Sequence, residues 1–249
     1  MFNSVIMCSS VQISNALLLI LSVFFLYGGV IAFFCLFKET GLYVWTALAA
    51  IAANIEVLIV VRAFGMEQTL GNVVFASSFL VTDILSELYG RKSAGRAVWI
   101  GVAVSLAFIV ISQSWLLYTP AESDWAMPSV RALFSNTPRV MGASLLTYAV
   151  AELFDVWAYH AWWGMTERKS GSRRAFLWLR NNGSTLISQG INTVLFNFLA
   201  FAGTFDTSTL LSIMASGYVI FVVTSLADTP FVYIARRIGQ SSQHHFPFL

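Results

Sequence analysis

The sequence predicts an all-α, polytopic membrane helical bundle of six to seven spans, formed as a single integral membrane domain over residues 1–249. Two features of composition and one of pattern lead there. Of the residues, 57% are apolar and 10% charged, whereas soluble domains carry about 25% charged residues. Mean hydropathy is +0.74. The apolar residues fall in runs near the ~20 residues that a helix needs to cross a bilayer. They do not form the short alternating segments of a transmembrane β-barrel.

In chain order the expected spans cover about 14–36, 41–64, 70–89, 97–118, 139–163, 181–204 and 209–235. The first ends at Lys38 and the second at the turn Phe64-Gly65. If the first segment lies along the surface, six spans remain. The N-terminal stretch lacks the basic start of a secretory signal, so the first run is expected to stay uncleaved. Residues 119–138, with Pro120, Pro128 and Pro138, are expected to be irregular, and 165–180 to form a basic polar loop. Pro230 is expected to kink or fray the last span.

Orientation follows from the 14 basic residues. Arg62, Arg131 and Arg139 fall in one set of loops. All the others, from Lys38 through Arg91, Lys92, Arg96 and the 168–180 loop to Arg236 and Arg237, fall in the opposite set. The positive-inside rule then places a seven-span chain with its N-terminus outside and its C-terminus cytoplasmic. Trp45, Trp99, Trp115 and Trp178 lie near span ends, where interfacial anchors belong.

Several chemistries lack their residues. Net charge is only +2, so no nucleic-acid partner is implied. Cys8 and Cys35 have neither metal nor redox spacing, and His160, His244 and His245 are scattered. There is no Walker-type phosphate loop, no H-E-x-x-H and no G-x-S-x-G. No cofactor or metal is expected.

Six acidic residues nonetheless lie within the expected spans: Glu56, Asp83, Glu87, Glu152, Asp155 and Asp228. A carboxylate at mid-helix costs about 2.5–3.5 kcal/mol on insertion scales. Such groups must be protonated, hydrogen-bonded, hydrated or paired with something that arrives. Residues three or four apart share a helix face. On that spacing Asn72, Phe79, Asp83 and Glu87 align in the third span, and Ser144, Tyr148, Glu152, Asp155 and Tyr159 in the fifth. Asn181, Thr185, Ser188 and Asn192 align in the sixth, flanked by Gln189, and Phe221, Thr224 and Asp228 in the seventh. The second span adds Asn54 and Glu56. Glu152, Asn192 and Asn54 fall near the midplane; Asp83, Asp155, Ser188 and Asp228 lie about a turn toward the cytoplasm. These stripes predict one shared polar cavity. The plainer alternative for a lone Ser144, Thr185 or Thr224 is a hydrogen bond between helices, worth roughly 0.6 kcal/mol. Glu87, near the interface, either joins the cavity or pairs with Arg91 one turn on. Ala49 and Ala53 form a small-residue face suited to helix packing.

Several blocks resemble the queuosine-precursor transporter family, also called the VUT or YhhQ type. They are Asn54-Ile55-Glu56-Val57-Leu58, Thr69-Leu70-Gly71-Asn72, Thr82-Asp83 through Glu87-Leu88-Tyr89-Gly90, Leu153-Phe154-Asp155-Val156-Trp157, Trp178 through Gln189, and Ala227-Asp228-Thr229-Pro230-Phe231. The resemblance spans about residues 41–237. It implies an inner-membrane importer of 7-deazaguanines such as preQ0, preQ1 or queuine, used in tRNA queuosine salvage. It also implies a fold similar to the substrate-binding subunits of energy-coupling-factor transporters. On that basis Asp83, Asp155 and Asn192 would hold the base edge, since a carboxylate accepts two neighbouring N–H groups at once. Glu152, Ser188, Gln189, Asn54, Asn72 and Asp228 would line the cavity, and Glu87 with Arg91 would form a cytoplasmic gate. Tyr89, Tyr148, Trp157 or Phe221 would offer a flat ring its aromatic face.

Relatives of this type often carry Gln where Glu152 stands, Asp where Asn192 stands, and Lys where Ile59 and Phe221 stand. These departures make the expected cavity more acidic and favour a more cationic substrate. Two other readings are a binding subunit driven by a separate ATPase module, and a membrane enzyme. The second lacks an activated nucleophile or a metal motif.

Overall fold

The structure, a computed structural model, describes residues 14–135, 138–172, 175–204 and 206–245. Cys8, Arg173, Arg174 and the side chains of His244 and His245 lie outside that description. The described residues form seven helices and one β-hairpin. Five of the helices are long and apolar enough to cross a membrane, so the chain is a multi-pass, all-helical membrane protein.

Helix α1, Asn15–Glu56, has 42 residues but is interrupted at Lys38, which takes a positive φ of 55°. Its halves correspond to the first two expected spans. They fold back closely: a Cβ on Gly29 would collide with the Trp45 indole. Trp45 is therefore not an interfacial anchor. It is 5% exposed and donates its indole N–H to Ser77 Oγ at 3.1 Å.

The helix expected to run to Phe64 stops at Glu56. Strands β1, Val60–Ala63, and β2, Met66–Thr69, follow as an antiparallel hairpin that pairs Arg62 with Glu67. The apolar run Val57–Val61 is rich in β-branched residues, which favour a strand. Phe64 and Gly65 both have positive φ, as a two-residue hairpin turn demands.

Helix α2, Gly71–Leu88, is the centre of the bundle, buried on nearly every side and packed against α1, α3 and α7 as well as α5. It ends where Gly90, at φ 85°, turns the chain into α3, Arg91–Trp115. The stretch expected to be irregular holds a short helix, α4, Met127–Phe134. Helix α5, Pro138–Ser170, and helix α6, Leu177–Phe201, absorb most of the expected basic loop. Arg180 consequently sits inside α6 and is fully buried. Helix α7, Thr207–His245, continues through Pro230 rather than ending there. Asp206 caps its start by accepting from the backbone N–H groups of Ser208 and Thr209 at 3.1 Å.

The most extensive helix packing joins α5 to α6, α1 to α2 and α6 to α7. At the α3–α5 crossing, Gly101 leaves no room for a Cβ beneath the Tyr148 hydroxyl. Apolar side chains from α1, α2, α3, α5 and α7 make one core, including Tyr27, Leu42, Leu80, Ile84, Val98 and Tyr159.

Candidate functional site

Four carboxyl groups meet inside the bundle. Asp83 on α2, Glu152 and Asp155 on α5, and Asp228 on α7 are each at most 1% exposed. Glu152 and Asp155, three residues apart, share a face of α5, and α6 supplies most of the polar partners. Thr185 Oγ1 donates to Asp83 Oδ2 at 3.3 Å, Ser188 Oγ to Asp155 Oδ1 at 2.9 Å, and Asn181 Nδ2 to Asp228 Oδ1 at 2.7 Å. Asn182 Nδ2 extends the layer to Thr229 Oγ1 at 2.7 Å. The carboxyl groups of Asp83, Asp155 and Asp228 lie close enough to interact with one another.

Glu152 lies about one helical turn before Asp155 on α5. It accepts from Ser78 Oγ and, at 3.0 Å, from Thr82 Oγ1. Above it two small voids open. One, of about 40 Å³, is lined by Asn72, Asn192, Ser144, Phe75 and Phe221. The other, of about 10 Å³, is lined by Asn54, Ser78, Ser105 and Tyr148. Asn54 Nδ2 donates to Ser105 Oγ at 3.3 Å, and Asn72 Oδ1 accepts from Thr69 Oγ1 at 3.3 Å. These voids hold a few waters at most, far below the ~300 Å³ or more of ordinary ligand pockets. The site is therefore closed around its polar groups.

The layer leaves acceptors without donors. Asp83 Oδ1, Asp155 Oδ2, Gln189 Oε1, Asn181 Oδ1 and Asn54 Oδ1 are buried and have no hydrogen-bond partner among the described residues. A buried acceptor without a donor costs about 1–3 kcal/mol. Buried polar atoms normally have partners, so a group of such atoms is unusual. Aromatic rings stand beside it: Phe75 contacts Tyr148 and Phe221 with centroids at 5.9 and 6.2 Å. Trp157 does not. It is 52% exposed and lies against Phe154 on the outer face of α5. Tyr89 likewise lies at the end of the bundle, 38% exposed.

Glu87 takes no part in that layer and does not pair with Arg91. Its carboxylate receives Arg180 on both oxygens, with Nη2 at 2.9 Å from Oε1 and 2.6 Å from Oε2. Tyr159 donates to Oε2 at 2.8 Å, and Arg236 Nε lies 3.4 Å from Oε1. The Arg180 guanidinium also lies over the Trp163 ring, 4.3 Å from its centroid. Four helices are thereby tied together beyond the acid layer, toward the C-terminal end of α2. Arg91 follows Gly90 at the exposed start of α3, its direction changed by the turn that breaks the helical row. Sequence reasoning missed Arg180 because it was counted with the loop cations. The available signal was its place directly before the Asn181 row.

The family described as "Putative vitamin uptake transporter" matches residues 69–235, which include every carboxyl group of the layer. A protein of Bacillus subtilis (strain 168) named "Probable queuosine precursor transporter" is 36% identical over 209 residues, covering 84% of this chain and 89% of its own length. No solved structure matches.

Proposed function

Because the chain belongs to the family described as "Putative vitamin uptake transporter", we propose that this membrane transporter imports queuosine precursors, 7-deazaguanines such as preQ0, preQ1 or queuine, across the bacterial inner membrane for tRNA queuosine salvage. The relative's name supports the substrate class. The single observation in the site that supports it best is the set of unpartnered acceptors, Asp83 Oδ1, Asp155 Oδ2 and Gln189 Oε1. A guanine-type edge presents adjacent N–H donors, the complement of such acceptors. Phe75, Phe221 and Tyr148 supply the apolar faces that a flat ring prefers. The basic residues at the Glu87 end support a cytoplasmic C-terminus.

The mechanism follows from the closed geometry. The substrate enters from the outer side, where Asn72 and Asn192 border the larger void. Its donors take the free acceptors of Asp83, Asp155 and Gln189, which removes the burial penalty those atoms carry in the empty layer. Opening toward the cytoplasm requires Glu87 to release Arg180. Only a ligand that favours the opened arrangement shifts that balance. Asn54 and Ser188, with Asp228, hold the layer's geometry.

The test is uptake of labelled preQ1 into proteoliposomes containing the purified chain alone. Uptake supports an importer that works without an ATPase module. Binding without uptake supports the substrate-binding subunit of an energy-coupling-factor-type transporter. Neither binding nor uptake of any 7-deazaguanine contradicts the substrate class.

A further inference from the structure

Between the two halves of α1 and the first turns of α2 a groove runs along the side of the bundle. Its larger part, of about 350 Å³, is walled by Phe25, Leu26, Phe33, Trp45 and Leu48 and holds Glu56. A second part, of about 190 Å³, shares Phe25, Leu26, Val74 and Glu56 with the first and continues to Leu19 and Leu70. Gly29 and Ala32 on one half of α1, and Ala49 and Ala52 on the other, keep it open. At the end nearer the Lys38 break, Phe33 meets Trp45 edge-on with centroids 5.3 Å apart. The outer rim is bare: Phe25 is 79% and Leu48 50% exposed. Helix α1 is the most apolar of the five membrane-span helices, and most of that span is uncovered by the rest of the chain. The groove therefore opens sideways to hydrocarbon.

Glu56 does not fit that setting alone. It is the last residue of α1, half-buried, and lines both parts of the groove. Among the described residues no hydrogen bond or charged side chain serves its carboxyl group. Arg62, six residues on, is paired in the hairpin opposite Glu67 instead. The other polar lining groups are satisfied. Ser77 Oγ accepts from the Trp45 indole at 3.1 Å and donates to Val74 O at 2.6 Å, and Ser22 Oγ donates to Leu18 O at 2.8 Å. An acid at a membrane face without a partner is costly. A carboxylate only accepts hydrogen bonds, so the missing partner carries N–H or O–H donors, and a positive charge suits it best.

The length of the groove defines the rest of the partner. Trp45, Leu48, Ala49, Ala52 and Glu56 recur at three- and four-residue spacing on one helix face. The eleven residues from Trp45 to Glu56 rise about 16 Å. That is close to the ~15 Å of hydrocarbon in one leaflet, half of a ~30 Å core. Beyond Glu56 the chain leaves the helix for the hairpin that carries Arg62 and Glu67. The groove is thus one leaflet deep, apolar along its length, with a single acid at the end where lipid head groups lie.

We propose that this groove binds a phosphatidylethanolamine, one acyl chain lying along α1 toward Trp45 and the head-group ammonium donating to Glu56. A primary ammonium supplies both the charge and the N–H donors. Phosphatidylcholine keeps the charge but has no N–H, and phosphatidylglycerol has no cation. The site is separate from the acid layer and does not depend on which solute is carried.

The experiment varies the lipid before the protein. The purified full chain is equilibrated in detergent micelles with equal amounts of phosphatidylethanolamine, phosphatidylcholine and phosphatidylglycerol of identical acyl chains, and retained lipid is counted by native mass spectrometry. The wild-type chain is expected to retain phosphatidylethanolamine over phosphatidylcholine by about tenfold, the scale of one charge-assisted hydrogen bond. Glu56→Gln, which keeps the shape, is expected to lower that ratio to about twofold or less while leaving phosphatidylcholine retention unchanged. Ala52→Leu narrows the groove and is expected to reduce retention of phosphatidylethanolamine about fivefold or more. Equal retention of the three lipids by the wild-type chain, no retained lipid, or a preference that Glu56→Gln leaves intact would each overturn the site. The wild-type comparison stands on the lipids alone, so a variant that fails to fold does not remove the test.

Discussion

Arg180 reaches across 93 residues of sequence to grip both carboxylate oxygens of Glu87, with both side chains at most 5% exposed. A buried pair of this kind contributes little over a well-packed apolar pair, yet breaking one half of it costs about 3–5 kcal/mol. Here the pair also gathers Tyr159 and Arg236.

Removing either partner therefore exposes the pair's role. Arg180→Ala and Glu87→Ala are each expected to lower thermal stability by an amount consistent with about 3–5 kcal/mol and to lower uptake at equal membrane expression. Arg91→Ala, one helical turn from Glu87 in sequence, is expected to leave both near wild type. Equal effects of Arg91→Ala and Arg180→Ala in a melting and uptake assay would refute the assignment.

The acid layer makes the opposite prediction for stability. Asp83 and Asp155 each hold one buried oxygen without a partner. Replacing either with Asn keeps the shape and removes a carboxyl group from a crowded acidic site. Asp83→Asn and Asp155→Asn are expected to melt at or above the wild-type temperature, since relieving a functional site often stabilises a fold. Both are expected to lose about tenfold or more in affinity, or some 1.4 kcal/mol. A loss of stability parallel to the loss of binding would mark these residues as structural.

Glu152 is proposed to select the substituent on the ring. Its carboxyl group is buried and accepts from Ser78 and Thr82, and Ser78 also lines the void beside Tyr148. Glu152→Gln is expected to reduce the preference for cationic preQ1 over neutral preQ0 by about tenfold, the scale of one charge-assisted contact. Competition binding with both compounds measures the ratio. An unchanged ratio contradicts a role for Glu152 in selecting charge.

Trp45 separates packing from transport. Its indole N–H serves Ser77 and its ring fills the space over Gly29. Trp45→Phe is expected to cost about 1–3 kcal/mol of stability, as an orphaned partner and a small void would, with substrate affinity unaltered. A change in Kd at constant stability contradicts a purely packing role.

The acid layer was legible in the sequence because helical spacing is local. The third, fifth, sixth and seventh stripes put Asp83, Asp155, Ser188 and Asp228 at one depth, and the folded chain brings those four together. The partner of Glu87 was not legible. Local spacing offers Arg91, and nothing in a periodicity connects α2 with α6. The hairpin was hidden for a related reason: Val57–Val61 is as hydrophobic as a helix end, and hydropathy does not distinguish a strand from the last turn of a span. Trp45 was misplaced because proximity to a span end does not reveal a neighbouring helix that buries it.

The most direct measurement of the central claim is queuosine in tRNA. The chain is expressed in a strain unable to make or import queuosine precursors but supplied with the salvage enzymes. Cells are fed preQ0, preQ1 or queuine separately. The account predicts modified tRNA with at least one precursor, and its loss in Asp83→Asn and Asp155→Asn at equal expression. Unmodified tRNA with every precursor, despite verified membrane insertion, or full modification in both variants, would contradict it.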